Sequence, residues 1–430
     1  MRENNNILEL DKKKFFKWLI IVCVILYVFA YLSIYFTKGK GWECLIWHAD
    51  TFGMFPDLSQ SVSQVKGLTP YTVGMTAIYP PFAYVFLVPL AYLIPGEASI
   101  ITSYNQIDST VYFLFFSIII ALIMLVFCTY SLSTTSYKFL FFLGFILSAP
   151  FVFCFERGNI VIVSILLCCY YVLNYDSDDK IKKELAFIAL AFAVALKIYP
   201  VVLGLLLIAE KKYKDAFKCI IYGIIIFVIP IFILRDSITE IIDCMTTDIN
   251  YFTKATNEEL VDWGFSYRIG ISAIIYSLGQ YYNIDNGTLA VIVKVLTCIV
   301  IVGMLMAAFA LKDKKKKVMA LIMIIAYIPG FSWIYNTMYF LPVVFLLNTD
   351  YDKVKKLQIK DVIYIILLLL LFVPLPYGDL FESLYGVQKI SINTFLTNVS
   401  LSMIFICLII EMIADISKGK IKTLEGKETI

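Results

Sequence analysis

Apolar residues along the chain fall into blocks of about 20, the length a helix needs to cross a bilayer's hydrocarbon core, with polar residues gathered in the intervals between them. The first block ends at about Phe36 and follows Arg2, Lys12, Lys13, Lys14 and Lys17. It is too long for a signal-peptide core and is not followed by a small-residue cleavage site, so a retained span is expected. Five positive charges set its start on the cytoplasmic side. The other lysine clusters, Lys180–Lys183, Lys211–Lys218, Lys312–Lys317, Lys353–Lys360 and Lys418–Lys427, mark further cytoplasmic intervals. Residues 38–77, residues 235–268 and Pro376–Asn393 are poor in Lys and Arg for their length and belong outside. The pattern predicts an all-α polytopic membrane protein with about 11 or 12 transmembrane helices. Residues 1–430 form one integral-membrane domain, with cytoplasmic tails at 1–14 and 416–430.

Two stretches depart from simple spans. Tyr79–Pro95 is short, and the following interval to Thr110 has no Lys or Arg, so parity fails unless one segment does not fully cross. Leu185–Glu210 is flanked by lysines at both ends and holds Lys197-Ile-Tyr-Pro200 in its middle. One span would put two basic clusters on opposite sides. A broken pair of half-helices hinged at Pro200 returns to the side it left, and proline breaks a regular helix at a cost of about 3 kcal/mol. Such backbone is tolerated at membrane depth only where it is buried in protein or lines a cavity. A re-entrant pair pointing Lys197 into an interior cavity is therefore expected.

Composition narrows the class. Hydrophobic residues make up 60% and charged residues 16% of the chain, against about 45–50% and 25% in soluble domains. The 36 Lys+Arg against 33 Asp+Glu are too balanced to argue for nucleic acid as a partner. A single His, and ten Cys without a CxxC, argue against a metal site. Gly-rich phosphate loops, GxSxG and HExxH are absent, and no repeat or matching halves are visible.

Chemistry is concentrated in the exterior interval 38–77, which carries His48, Asp50 and Asp57. A carboxylate on a loop folded against the membrane is placed to deprotonate a hydroxyl acceptor. On residue type alone, Asp50 and Asp57 as solvated loop acids are the plainer reading, and His48 is more simply a bystander. The aromatic residues Tyr79, Tyr199, Trp333 and Tyr335 suit a membrane-interface belt as well as a site. Asp176-Ser-Asp178 and Asp350-Tyr-Asp352 match the DxD pattern, but both lie in short lysine-rich intervals. Solvated charge is the better reading, and it argues against a nucleotide-sugar donor. The acidic stretch from Arg235 to Arg268 either covers a cavity or simply joins two helices.

Gly67…Pro70-Tyr71 with Ile78-Tyr79-Pro80-Pro81-Phe82 resembles the segment after the first exterior loop in glycosyltransferase family 87, polytopic GT-C-type enzymes using polyprenyl-phosphate sugars. Ser148-Ala149-Pro150 through Glu156-Arg157-Gly158-Asn159, then Ala195-Leu196-Lys197-Ile198-Tyr199-Pro200, resembles the same family and is similar to the catalytic subunit of GPI mannosyltransferase I. Phe331-Ser332-Trp333-Ile334-Tyr335-Asn336 followed by Pro342 is similar to the family's late SW-containing segment.

The resemblance implies a hexose, most plausibly mannose, moved from a polyprenyl-phosphate donor to a lipid or glycan acceptor on the exterior face, by inversion and without a cofactor; it leaves a metal requirement open, although the family looks metal-independent. It makes the general base an acidic residue of the first exterior loop. Asp57, 14 residues before Tyr71, matches that position, and Asp50 is the reserve. Lys197 and Arg157 would then hold the departing phosphate. A lysine within an apolar run costs about 2.5–3.5 kcal/mol on insertion scales, so an idle Lys197 is not expected. Asn159, Tyr79, Tyr199, Trp333, Tyr335, Asn336 and His48 complete the expected substrate contacts. A flippase of lipid-linked glycans is the rival from another class, but it needs charges along several spans, and here the in-span charges are chiefly Lys197 and Lys294. A glycan polymerase or ligase of another family is the third reading, and the two arginines between 235 and 268 fit it poorly. The abundance of Ile, Lys and Asn points to a bacterial plasma membrane.

Overall fold

A computed structural model of the chain describes residues 9–36, 45, 55–73, 77, 79–93, 109–130, 135–247, 268–272, 274–275, 279, 282, 284–329, 332–349, 356–375 and 392–425. The architecture is all-α apart from two short antiparallel ladders, Glu9–Asp11 (β1) with Lys356–Gln358 (β4) and Arg268–Ile269 (β2) with Ser332–Trp333 (β3). The helices up to residue 228 are Lys12–Phe36 (α1), Pro56–Val65 (α2), Pro70–Val73 (α3), Pro81–Leu93 (α4), Ser109–Tyr130 (α5), Thr135–Ile146 (α6), Ala149–Arg157 (α7), Val161–Asn174 (α8), Lys180–Leu196 (α9), Leu205–Ala209 (α10) and Tyr213–Val228 (α11). Asn286–Ala310 (α12), Lys314–Tyr327 (α13), Leu341–Thr349 (α14), Ile359–Leu370 (α15) and Ile392–Glu425 (α16) follow.

Four of the described helices are long and apolar enough to cross a membrane, or five if α6 and α7, bent by 54°, make one span. Their apolar faces point outward: only 6% of the span within Tyr213–Phe232 is buried in the protein. Exposed apolar surface on that scale needs lipid rather than water. The other apolar helices are shorter, at 10–17 residues. The continuous spans expected from the sequence are therefore partly replaced by short and broken helices, which pack as a buried core between the lipid-facing ones.

Side-chain contacts sort the polar intervals into two ends. At one end, Lys314 reaches Asp176 at 2.8 Å, the Tyr175 hydroxyl donates to Glu210 Oε1 at 2.7 Å, and Lys212 pairs with Glu210 at 2.7 Å. Lys212 and Lys314 also cover the Tyr175 ring, 4.6 and 4.4 Å from its centroid. Asn174 donates to the Tyr130 hydroxyl at 2.8 Å, and Lys316 bonds Glu411. The lysine-bearing strand β4 pairs with β1, just ahead of α1. The basic clusters on described residues thus share one end, as sorting by lysine predicts.

α9 and α11 pack in parallel, with Lys183 on Asp215 at 2.7 Å, Tyr222 donating to Glu184 at 2.9 Å, and Cys219 donating to the Phe187 carbonyl at 3.8 Å. Two parallel helices joined by residues 197–212 require that joining segment to come back to the lysine end. The re-entrant path is therefore present, but the break falls earlier than Pro200. α9 ends at Leu196, Lys197 is extended (φ −148°, ψ 125°), and Pro200 lies in the first turn of a 3₁₀ helix, Tyr199–Gly204. The physical reason is steric: in a continuing helix the Pro200 ring would meet the Leu196 carbonyl and offer it no N–H. The segment Tyr79–Pro95 and the interval after it are described only in part. Tyr79 lies against Lys197, and Phe116 of α5 packs on Phe55 and Phe155 beside Arg157. Tyr79 ahead of α4 and the first half of α5 thus both sit at the end opposite the lysines, and the residues that join α4 to α5 lie outside the described ones.

The tightest junction at that opposite end joins α2 to α7. The Phe55 amide donates to the Glu156 carbonyl at 2.6 Å, and Phe55 itself adopts a left-handed conformation (φ 62°). Gly158 ends α7 in the same region of backbone space (φ 65°). A β-carbon on Gly158 would meet Leu58 Cβ at 2.9 Å and Phe55 Cβ at 3.2 Å. Only glycine fits there.

Two outcomes follow. With the exposed Cys128 and Cys298 replaced, cysteines at Lys182 and Lys211 should both react with a membrane-impermeant thiol reagent from the same face of sealed vesicles. Reaction from opposite faces would remove the re-entrant path. Gly158→Ala should lower the stability of the detergent-solubilised protein by about 1–3 kcal/mol, the scale of a strained backbone position, read as a lower melting midpoint with helical content intact.

Candidate active site

Asp57 occupies the first turn of α2, where the helix dipole favours a carboxylate. Arg157, the last residue of α7, donates from Nη2 to Asp57 Oδ1. Asn159 donates from Nδ2 to Asp57 Oδ2 at 2.6 Å and to the Tyr335 hydroxyl at 3.4 Å. The Asn159 side-chain oxygen, Oδ1, accepts from the Val161 amide at 3.0 Å, so the side-chain amide cannot flip without losing that bond. Both oxygens of Asp57 are thus held by groups about 100 residues away in the chain, yet its side chain is still 16% exposed and that of Arg157 17%. Each carboxylate oxygen keeps a lone pair for a further donor, and the side chain stays partly open to solvent.

Lys197 enters from the break after α9 and places its ammonium 4.3 Å from the centre of the Tyr79 ring, a cation–π contact. The extended backbone at Lys197 turns this side chain out of the α9 ladder. Trp333 lies under Arg157, with Cζ 5.8 Å from the indole, and Phe153 stacks on Tyr335 at 6.0 Å. Tyr199 follows Lys197 on the 3₁₀ turn and packs half-buried against the core beside Tyr335 and Tyr339. Below them, Ser164 donates to the Ala193 carbonyl at 3.0 Å and shares a hydrogen bond with Tyr339 at 3.3 Å.

Asp57, Arg157, Asn159, Tyr335 and Trp333 therefore form one connected group, with Lys197 and Tyr79 beside it. Asn336 does not join it, since its amide turns back to Ser332 Oγ at 2.9 Å and is buried. Asp50, His48 and Phe331 lie outside the described residues, as do Asp350 and Asp352. Asp176 is taken by Lys314, and Asp179 accepts from the Ile181 and Lys182 amides at the start of α9. Both acids sit at the far end of α8, whose 14 residues separate them from Asn159 by about 20 Å. Lys294 lies exposed on α12, away from this group.

Two residues of the acidic stretch come to the site from its ends. Asp236 accepts from the Tyr71 and Thr72 amides and the Thr72 hydroxyl. Arg268 is buried to 1% exposure opposite Trp333 in the β2–β3 ladder, and Asn398 fixes its carbonyl at 3.1 Å. Nothing local in the sequence separates these two from the other charges of the interval. Only their positions at its two ends, against the helices, carried a signal.

The geometry presents one partly exposed carboxylate held by an arginine and an asparagine, a second cation beside it, and aromatic walls, all at the end away from the lysines. No curated protein and no solved structure shows significant similarity to the chain. The model of glycosyltransferase family 87 matches residues 77–331, which carry Tyr79, Arg157, Asn159, Lys197 and Tyr199. Asp57 precedes that stretch and joins the site through its contacts with Arg157 and Asn159. With more than half its length matched, this membrane-embedded chain belongs to glycosyltransferase family 87.

Proposed function

We propose that the protein transfers a hexose, mannose in our reading, from a polyprenyl-phosphate donor to a lipid or glycan acceptor, with Asp57 as general base. The observation that carries this reading is the Asp57 carboxylate, partly exposed and fixed on both oxygens by Arg157 and Asn159. In a single displacement the acceptor oxygen bonds to the anomeric carbon from the face opposite the phosphate, and the configuration inverts. The acceptor proton passes to Asp57, and the glycosidic C–O bond breaks with its electron pair leaving on the phosphate oxygen. Polyprenyl phosphate is already a good leaving group, so the protein's task is orientation and charge. Lys197 supplies a point charge for the phosphate, and Arg157 supplies a planar guanidinium that links base and leaving group. Tyr79, Trp333 and Tyr335 form walls against which a sugar ring can pack, and Tyr199 borders the same space.

The end that carries this group lies opposite the lysine clusters, and the positive-inside rule puts that end on the exterior face. In a bacterium this is the outer side of the plasma membrane, where a flipped lipid-linked sugar is available. Asp50 and His48, on the same exterior interval, remain the reserve base and a second acid/base element.

With defined polyprenyl-phosphate sugars and purified protein, Asp57→Asn should reduce transfer by about 10²–10⁴-fold, the range for loss of a positioned base. Binding of polyprenyl phosphate should stay near wild type. Full activity in Asp57→Asn, with activity lost in Asp50→Asn, would move the base to Asp50. Arg157→Lys keeps the charge but loses the planar fork, and should lower transfer by about tenfold or more, the scale of a misplaced reacting group.

A further inference from the structure

The Asp236 carboxylate is an unusual use of charge. It lies where the chain leaves the α11 region and enters the second exterior interval, it is 6% exposed, and it faces no cation within its described contacts. Its ligands are all on the first exterior interval. Oδ1 accepts from the Thr72 amide at 3.1 Å and from the Thr72 hydroxyl, and Oδ2 accepts from the Tyr71 amide at 3.4 Å. Next to it, the Arg235 amide donates to the Leu68 carbonyl at 2.7 Å. Leu68 holds a left-handed backbone (φ 63°), so the turn is kept in a conformation it would not choose alone.

The segment held in this way reaches the site within two contacts. The Tyr71 hydroxyl donates to the Tyr79 carbonyl at 2.7 Å, and the Tyr71 and Tyr79 rings both pack edge-on against Tyr84, at 5.4 and 6.1 Å. The Tyr79 ring in turn lies 4.3 Å from the Lys197 ammonium. Asp236 therefore holds the Tyr71 backbone, the Tyr71 hydroxyl holds the Tyr79 carbonyl, and the Tyr79 ring forms one wall against the Lys197 ammonium. Hydrogen bonds from amides to a carboxylate are roughly twice as strong as neutral ones, which makes this attachment a firm one.

We infer that Asp236 is a positioning residue for the donor phosphate, acting through Tyr71 and Tyr79 on Lys197. The inference rests on the reading of Lys197 as the phosphate-binding cation. It assigns to the root of the second exterior interval a job distinct from covering the cavity: it ties the two exterior intervals together and sets the cation that lies between them. Asp57 and Arg157 are held by separate contacts on α2 and α7, so loss of the attachment should weaken donor binding and spare the base.

The test uses the full-length protein in lipid nanodiscs, with polyprenyl phosphate binding and the donor and acceptor KM measured for wild type, Asp236→Ala, Lys197→Met and the double variant. Asp236→Ala should raise donor KM and weaken polyprenyl phosphate binding by about tenfold, the scale of coupling between residues in one network, with acceptor KM within about twofold. In the Lys197→Met background the same change should add less than about twofold, because both act through one cation. Asp236→Asn, which keeps one acceptor oxygen, should fall between. If Asp236→Ala does not fold, Thr72→Val removes only the hydroxyl bond and should still shift donor KM alone. Unchanged donor KM and phosphate binding, or a full additive loss in the Lys197→Met background, would overturn the inference. Wild-type protein that binds no polyprenyl phosphate would instead overturn the proposed donor, and this inference with it.

Discussion

The attachment of α2 to the end of α7 is the constraint on which the rest of the site depends. Three features act there together: the Asp57–Arg157 ion pair, the Phe55–Glu156 backbone hydrogen bond, and the glycine at 158 that lets the two chains approach. Each alone is modest. A partly exposed ion pair contributes little to stability, and the left-handed backbone at Phe55 costs energy. Their combined effect is positional. Asp57 is carried on a short helix whose Leu58, Val62 and Val65 are buried in the core, and this attachment sets its carboxylate beside Arg157 and Asn159. The strain at Phe55, which Gly158 as a glycine does not share, lies where the Asp57 carboxylate is fixed against Arg157 and Asn159.

The features legible in the sequence were those with a local or cumulative signal. Lysine sorting found one polar end because each cluster carries its own vote, and the contacts of Lys212, Lys314 and Lys316 agree with it. The broken segment at Lys197–Pro200 was visible because proline has a local steric rule, although that rule acts on the preceding turn and so shifts the break to Leu196. Arg157 and Asn159 were reached only through resemblance. Their partner lies about 100 residues earlier, and a contact of that separation leaves no period or spacing to detect. Asp236 and Arg268 were illegible for the same reason, since each looks like any other charge in a polar interval until the fold buries it. Asn336 is a different case. It sits in a suggestive motif, but a hydrogen bond to its own segment turns it away.

The protein also separates its polar work by depth. Several charges at the lysine end are paired with one another, and Tyr175 is held between Lys212 and Lys314. Those at the other end are arranged around a space that solvent can enter. Between them run helices whose inner faces are apolar and whose few polar groups, such as Ser164 and Tyr339, are satisfied by one another or by backbone. That arrangement keeps two charged ends from sharing a continuous polar path through the membrane.

The parallel pairing of α9 and α11 bears on how the chain enters the membrane in the first place. A helix pair joined by a crossing loop would require one of two lysine-rich intervals to be carried through the lipid during insertion. Because residues 197–212 double back, the intervals at Lys180–Lys183 and Lys211–Lys218 can both stay where synthesis leaves them. Lys197 is then the sole lysine between those clusters that has to travel to the far end, at a cost of about 2.5–3.5 kcal/mol on insertion scales. The Lys197 ammonium is delivered by a hairpin, and the biosynthetic machinery need move no other cation from that stretch.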